Sequence, residues 1–331
     1  MLRLEAQPGA KVPKLPDQGK VLAVAAEEIS TLDAPWKVAE GETTTLRVKT
    51  GHFTLNASLN LRRKADRLVV TFHGARRSKA GDTKNTSPMF MRHDWDEAYE
   101  CPILSISDPL GEQNWGAGLP RPSLYFGDFE HDLVPEINAL IDKACDEIGV
   151  SRDNVVLYGA SSGGSAALCV GARRSSKTGV IAVCPYLRPK KYREQVVKVV
   201  AKAMGGDLDA WNNCIEEEPE RLNPIAAMDL ALEAGSDFRA VIVQNTLDAA
   251  LLNHHFPILW KHFGMDLEGG FDASGRIMSA LYTADAGHGQ EPDELVLPLY
   301  QMALKHFQSP LNPQPITVGA GMGKKEKKKQ Q

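Results

Sequence analysis

The first forty residues show no sustained apolar period and are crowded with Pro, Gly and charge, which predicts an arm over residues 1–42 lying on a domain surface. From Thr43 the pattern becomes strand-like. Thr43 to Val48 is followed by Phe53 to Leu61, where Leu55, Ala57, Leu59 and Leu61 alternate with polar residues, and then by Arg67 to Phe72. Short apolar runs at Pro102 to Ile106, Asn154 to Tyr158, Val180 to Cys184, Arg239 to Gln244 and Ile277 to Thr283 read as buried strands. Between them lie helical patterns. Asp132 to Ile148 places Ile137, Leu140, Ile141, Ala144 and Ile148 on one face and ends at Gly149, while shorter helices are read at Ser165 to Gly171, Phe256 to Phe263 and Glu291 to Phe307.

Strands alternating with helices predict an α/β fold with a doubly wound, mostly parallel sheet, whose functional loops leave the carboxyl ends of the strands. One domain is expected over residues 43–308. Residues 187–237 form a charged, helical insertion between two strands, with Val196, Val197, Val200 and Met204 at helix spacing and Trp211 beyond, so a lid or cap is expected there. The bland alternative is an extra helical layer on the side of the sheet. Residues 309–331 are Pro/Gly-rich and then lysine-rich, a pattern that predicts a disordered basic tail. No internal repeat is visible.

Composition narrows the partners. The 331 residues are 43% hydrophobic, enough for a sizeable core, and a net charge of −4 gives no general drive toward nucleic acid or an anionic membrane. With no signal-like apolar segment at the start and none approaching the roughly 20 residues that span a bilayer, the sequence reads as cytoplasmic. The five cysteines (Cys101, Cys145, Cys169, Cys184 and Cys214) are widely spaced and odd in number, as expected for reduced, mostly buried thiols. No CxxC pair or HExxH motif supports a zinc site, and no metal ligand is assigned.

The strongest chemical signal is Gly159-Ala160-Ser161-Ser162-Gly163, a GxSxG string placed directly between an apolar strand and a helix. Such strings also occur in plain Gly/Ser loops and in phosphate cradles at helix N-termini. The strand-turn-helix setting favours a nucleophile, because a serine hydroxyl must stand on a tight turn where a base and oxyanion-binding N–H groups can reach it. Here the chain resembles the α/β-hydrolase superfamily, over about Thr43 to Phe307. The resemblance implies the chain order serine, acid, histidine, each after a core strand. Gln244-Asn245-Thr246-Leu247-Asp248 then supplies the acid, Asp248, and Asp285-Ala286-Gly287-His288-Gly289 the general base, His288. Asp285 competes for the acid role, but so close on the same loop it is badly placed to reach the far ring nitrogen. His73-Gly74-Ala75 resembles the family's HG turn, so the implied oxyanion hole combines the N–H of Ser162 with that of Gly74 or Ala75, and His73 braces the turn.

The HGA turn, a later Ser107-Asp108-Pro109 and the stretch Ser123-Leu124-Tyr125-Phe126-Gly127 resemble hydrolase-fold proteins linked to acylation or deacylation of cell-surface glycans. Trp115 and Tyr125 are therefore candidates to stack on a substrate, with packing as the alternative. Arg76, Arg77 and Lys79 add positive charge that attracts an anionic substrate or is simply solvated. The expected function is hydrolysis of a carboxylic ester, on a small molecule or a glycan, through an acyl-enzyme and with no cofactor. The alternatives are an O-acyltransferase acting on a glycan hydroxyl and a non-catalytic hydrolase-fold binding protein. The oligomeric state is not legible.

Overall fold

The computed structural model describes residues 3–5, 28–77, 88–112, 120–121, 123–191, 194–266, 269–285, 287–288 and 291–311. Eight strands form the body of one ten-stranded sheet. They are β1 (Thr43–Lys49), β2 (Thr54–Asn60), β3 (Leu68–Phe72), β4 (Ile103–Ile106), β5 (Val155–Ala160), β6 (Thr178–Val183), β7 (Phe238–Asn245) and β8 (Ile277–Tyr282). Their spatial order is β1-β2-β4-β3-β5-β6-β7-β8, with Ser30–Thr31 added beyond β1 and Gly270–Phe271 beyond β8. From β4 to β8 every neighbour is parallel, whereas β2 runs antiparallel to both β1 and β4. This is the doubly wound, mostly parallel sheet of the α/β-hydrolase fold.

The parallel strands are continuous apolar runs because both faces are covered. Leu68 and Val70 of β3, Val155 and Leu157 of β5 and Ala240 and Ile242 of β7 point into one core, while Val69, Val156, Tyr158, Val241 and Val243 point into the other. The first core is closed by α1 (Leu133–Ile148) and α2 (Ser162–Ala172). The apolar face read from the α1 sequence is the face that is buried, with Ile137, Leu140 and Ile141 fully enclosed. Asp132 caps this helix by accepting the N–H of Val134, and Gly149 ends it in the left-handed region.

Four helices follow β6: α3 (Glu194–Ala203), α4 (Leu208–Glu217), α5 (Pro219–Leu222) and α6 (Pro224–Glu233). They part company in packing. Ile225, Ala227, Met228 and Ala231 of α6 join the first sheet core, so this end of the 187–237 insertion is a layer helix. The first three helices instead build a separate cluster, in which Val197, Val200, Met204, Trp211, Cys214 and Leu222 enclose Leu110, Leu124 and Phe126. After β7 come α7 (Ala249–His254) and α8 (Phe256–His262), and α9 (Asp293–Gln308) follows β8, closing the second core through Leu295, Val296 and Leu299.

Part of the N-terminal arm is docked on the domain. Ser30–Thr31 pairs with β1, Trp36 is buried in the first core, and the Leu4 N–H donates to the Leu281 carbonyl. The lysine-rich tail from residue 312 lies outside the described residues. No described helix is long and apolar enough to cross a membrane. All five cysteines are free and buried, and burial pushes the Cys169 thiol up to about 12.

Candidate active site

The chain order reverses at β3, since β4 lies on one side of it and β5 on the other. At such a switch point the loops leaving adjacent strand ends diverge and open a crevice. Gly74, two residues past β3, and Ser161, the residue after β5, meet there. A β-carbon added at Gly74 would sit 3.1 Å from the Ala160 carbonyl oxygen and 3.5 Å from Ser161 Cβ.

Ser161 occupies the left-handed half of backbone space at φ 56° and ψ −126°, a strained conformation for a residue with a β-carbon. It is held by what surrounds it. The Ser161 N–H donates to the Val183 carbonyl, and its own carbonyl accepts from Gly164 and Ser165 in the first turn of α2. This turn requires close backbone approach on both sides: a β-carbon on Gly159 would fall 2.1 Å from the Gly163 carbonyl oxygen, and one on Gly163 would fall 2.5 Å from the Phe72 carbonyl oxygen. The helix starts at Ser162 rather than at Ser165, so the Ser162 N–H belongs to the first helical turn, where N–H groups have no intrahelical acceptor.

The hydroxyl of Ser161 lies 2.9 Å from His288 Nε2, and His288 Nδ1 lies 2.7 Å from Asp248 Oδ2. Asp248 is buried and His288 is exposed at its outer edge. Asp285 is exposed on the surface of the histidine loop. Asp248 does double duty at the start of α7, where its Oδ1 accepts the Leu251 N–H. Chemically the series can accept a proton from Ser161 onto His288 while Asp248 fixes the ring with its proton on Nδ1.

Several supporting residues were not singled out in the sequence. Asn245, at the end of β7, donates through Nδ2 to the Ala284 and Gly287 carbonyls at 2.7 Å each and accepts the Ala284 and Leu247 N–H groups on Oδ1. One amide thus ties the Asp248 loop to the His288 loop. The ring of Tyr186 packs edge-on against both His288 and His255. Burial lowers His255 to about 4, with the Arg188 and His254 charges acting in the same sense, so its Nδ1 stays free to accept the Leu187 N–H.

The turn at His73 rests on a second buried network. The Asp108 N–H donates to His73 Nε2, which leaves the ring proton on Nδ1, facing the Gly74 carbonyl at 3.0 Å and Ser123 Oγ at 2.8 Å. The Asp108 carboxylate accepts the N–H groups of Leu110, Leu124 and Tyr125. Burial pushes this carboxyl up to about 6 although those N–H groups pull it down. Tyr125 is corrected from its expected role. Its side chain is fully enclosed, its hydroxyl donates to the Ile106 carbonyl and accepts the His73 N–H, and no face is left to stack on a substrate. Trp115 lies outside the described residues, as do Lys79 and the side chains of Arg76 and Arg77. Ala75 is exposed beside Gly74.

Beneath the constellation lies a buried ion pair between Arg92 and Glu291, with Nη2 2.6 Å from Oε1. Tyr158 of β5, three residues before Ser161, donates its hydroxyl to the same Glu291 oxygen, and the guanidinium stacks on the rings of Tyr158 and Trp95. Glu291 stands three residues after His288, so the pair joins the strand under Ser161 to the foot of the histidine loop. Glu291→Gln is expected to lower folding stability by about 3–5 kcal/mol, read from urea unfolding, because the guanidinium would be left buried without its counter-charge. A loss below about 1 kcal/mol would contradict this.

No protein-family model matches the chain, and no curated protein matches it in sequence. Solved structures do resemble it. An arylesterase is 15% identical, with 84% of this chain and 89% of that chain covered at a TM-score of 0.45. Esterase B from Lactobacillus rhamnosis is 16% identical, covering 80% and 84% at 0.46. The capsule O-acetyltransferase of Neisseria meningitidis serogroup A is 12% identical, covering 76% and 91% at 0.49.

Proposed function

We propose that the chain is a serine hydrolase that cleaves a carboxylic ester through an acyl-enzyme. The observation that carries this reading is the hydrogen-bonded series Ser161–His288–Asp248 built on a strained strand-to-helix turn. His288 Nε2 takes the Ser161 proton as Oγ attacks the ester carbonyl, and the resulting oxyanion is met by the N–H of Ser162 and by that of Gly74 or Ala75. Collapse of the tetrahedral intermediate expels the alkoxide, which receives the proton from His288. Water then enters, gives its proton to His288 and attacks the acyl carbon; the second collapse frees the acid and returns the proton to Ser161.

The substrate class is a small-molecule or glycan ester. We read α3, α4 and α5 as the cap over the acyl pocket. Their cluster encloses Leu110, Leu124 and Phe126, whose loops are fastened through Asp108 and His73 to the turn at Gly74. The direct test is reaction with a fluorophosphonate probe followed by peptide mass spectrometry, which requires no knowledge of the natural substrate. Stoichiometric modification of Ser161 is expected in the folded protein, together with hydrolysis of a short activated ester. A folded chain inert to both would favour the non-catalytic reading.

A further inference from the structure

We propose that His52, Asp128 and His131 form a binding site for a divalent transition metal of the zinc class, separate from the Ser161 constellation. His52 lies in the turn between β1 and β2, and the other two lie in the loop that enters α1. Their ligand atoms all fall within 4.8 Å of one another.

The two carboxylate oxygens of Asp128 are in different situations. Oδ1 accepts the backbone N–H groups of Glu130 at 2.9 Å and His131 at 2.7 Å, and His131 Nδ1 lies 3.1 Å from it. Oδ2 faces His52 Nε2 at 3.5 Å and His131 Nδ1 at 3.4 Å. Those separations are long for N–H···O hydrogen bonds. The His131 Nδ1 separation matches the ligand-to-ligand edge of about 3.3–3.6 Å that tetrahedral zinc imposes with bonds of about 2.0–2.2 Å, and His52 Nε2 lies close enough to reach the same position once its ring turns.

The scaffold is braced on both sides. Glu136 of α1 accepts the N–H groups of His52 and Phe53 and the Thr50 hydroxyl, which pins the turn. Arg221 donates to the Asp128 and His131 carbonyls, which pins the loop. One movement is needed. The two imidazoles stack with centroids 3.4 Å apart and planes 9° from parallel, and a metal in the plane of one ring cannot lie in the plane of the other. The His52 side chain is 47% exposed and can rotate out of the stack to close the site. Two neutral imidazoles and one carboxylate select zinc, copper or nickel over calcium or magnesium and leave a fourth position for water. The metal would staple the β1–β2 turn to the entrance of α1.

The full chain, freed of affinity tag and stripped with a chelator, is titrated with zinc chloride by calorimetry and with Co²⁺ by visible absorption. One equivalent of zinc is expected to bind and to raise the melting temperature, with Co²⁺ giving the intense bands of a tetrahedral site. His52→Ala and His131→Ala should each weaken zinc by more than about 100-fold, beyond the range for partners that only support a ligand. His52→Gln, which keeps a polar side chain in the turn, should do the same; Ser161→Ala and His288→Ala should bind zinc as the native chain does. Absence of binding, binding unchanged in both histidine variants, or binding lost in His288→Ala would each overturn the assignment.

Discussion

Ser161→Ala is expected to reduce kcat on an activated ester by about 10⁶-fold, the scale on which a serine protease falls when its nucleophile is removed. Fluorophosphonate labelling should vanish with it. The fold should survive, since Oγ is a single partly exposed atom whose hydrogen bond is to the exposed ring of His288. The bonds that hold the turn come from the backbone and are untouched by the substitution. Circular dichroism and a urea midpoint close to those of the native chain would separate lost chemistry from lost structure. If labelling persisted in a folded Ser161→Ala protein, the nucleophile assignment would fail.

Asp248→Asn is expected to slow turnover by about 10⁴-fold, the serine-protease precedent, and the structure supplies a local reason for so large an effect. Oδ1 accepts the Leu251 N–H at the start of α7, so an asparagine keeping that bond must turn its NH₂ toward His288 Nδ1. Two donors would then face each other. The ring escapes by moving its proton to Nε2, where it points at Ser161 and can no longer accept the hydroxyl proton. Because Asn caps a helix about as well as Asp, the urea midpoint should move little. Asp285→Asn should change kcat less than tenfold, as its carboxylate is exposed and Asp248 holds the His288 ring. Equal or reversed effects of the two substitutions would transfer the acid role to Asp285.

The order of strands and helices was legible because burial on two faces leaves a simple trace in sequence. Runs such as Val155 to Tyr158 and Ala240 to Val243 are apolar at every position, and α1 shows its buried face at helical spacing. The tight turn at Ser161 was legible for a steric reason: Gly159 and Gly163 flank it because carbonyl oxygens lie within 2.1–2.5 Å of where their β-carbons would be. Boundaries were less so. The start of α2 at Ser162 depends on Gly163 packing under the Phe72 and His73 carbonyls, a contact between distant segments.

What only the tertiary structure decided are the pairings between segments far apart in the chain. Tyr125 reads in sequence as an aromatic on a glycine-rich loop, yet its hydroxyl bridges the ends of β3 and β4 and its ring is enclosed. Arg92 and Glu291, 199 residues apart, look like ordinary surface charges until the fold buries them against each other. The insertion after β6 reads as one amphipathic unit, but α6 packs on the sheet layer while α3 to α5 enclose a different cluster. His52, Asp128 and His131 match no metal motif, because their proximity is set by the clamp of Glu136 on a β-turn rather than by spacing along one helix. Periodicity records which face of an element is buried; it carries no record of which distant element covers that face, and polar partners are chosen by that second fact.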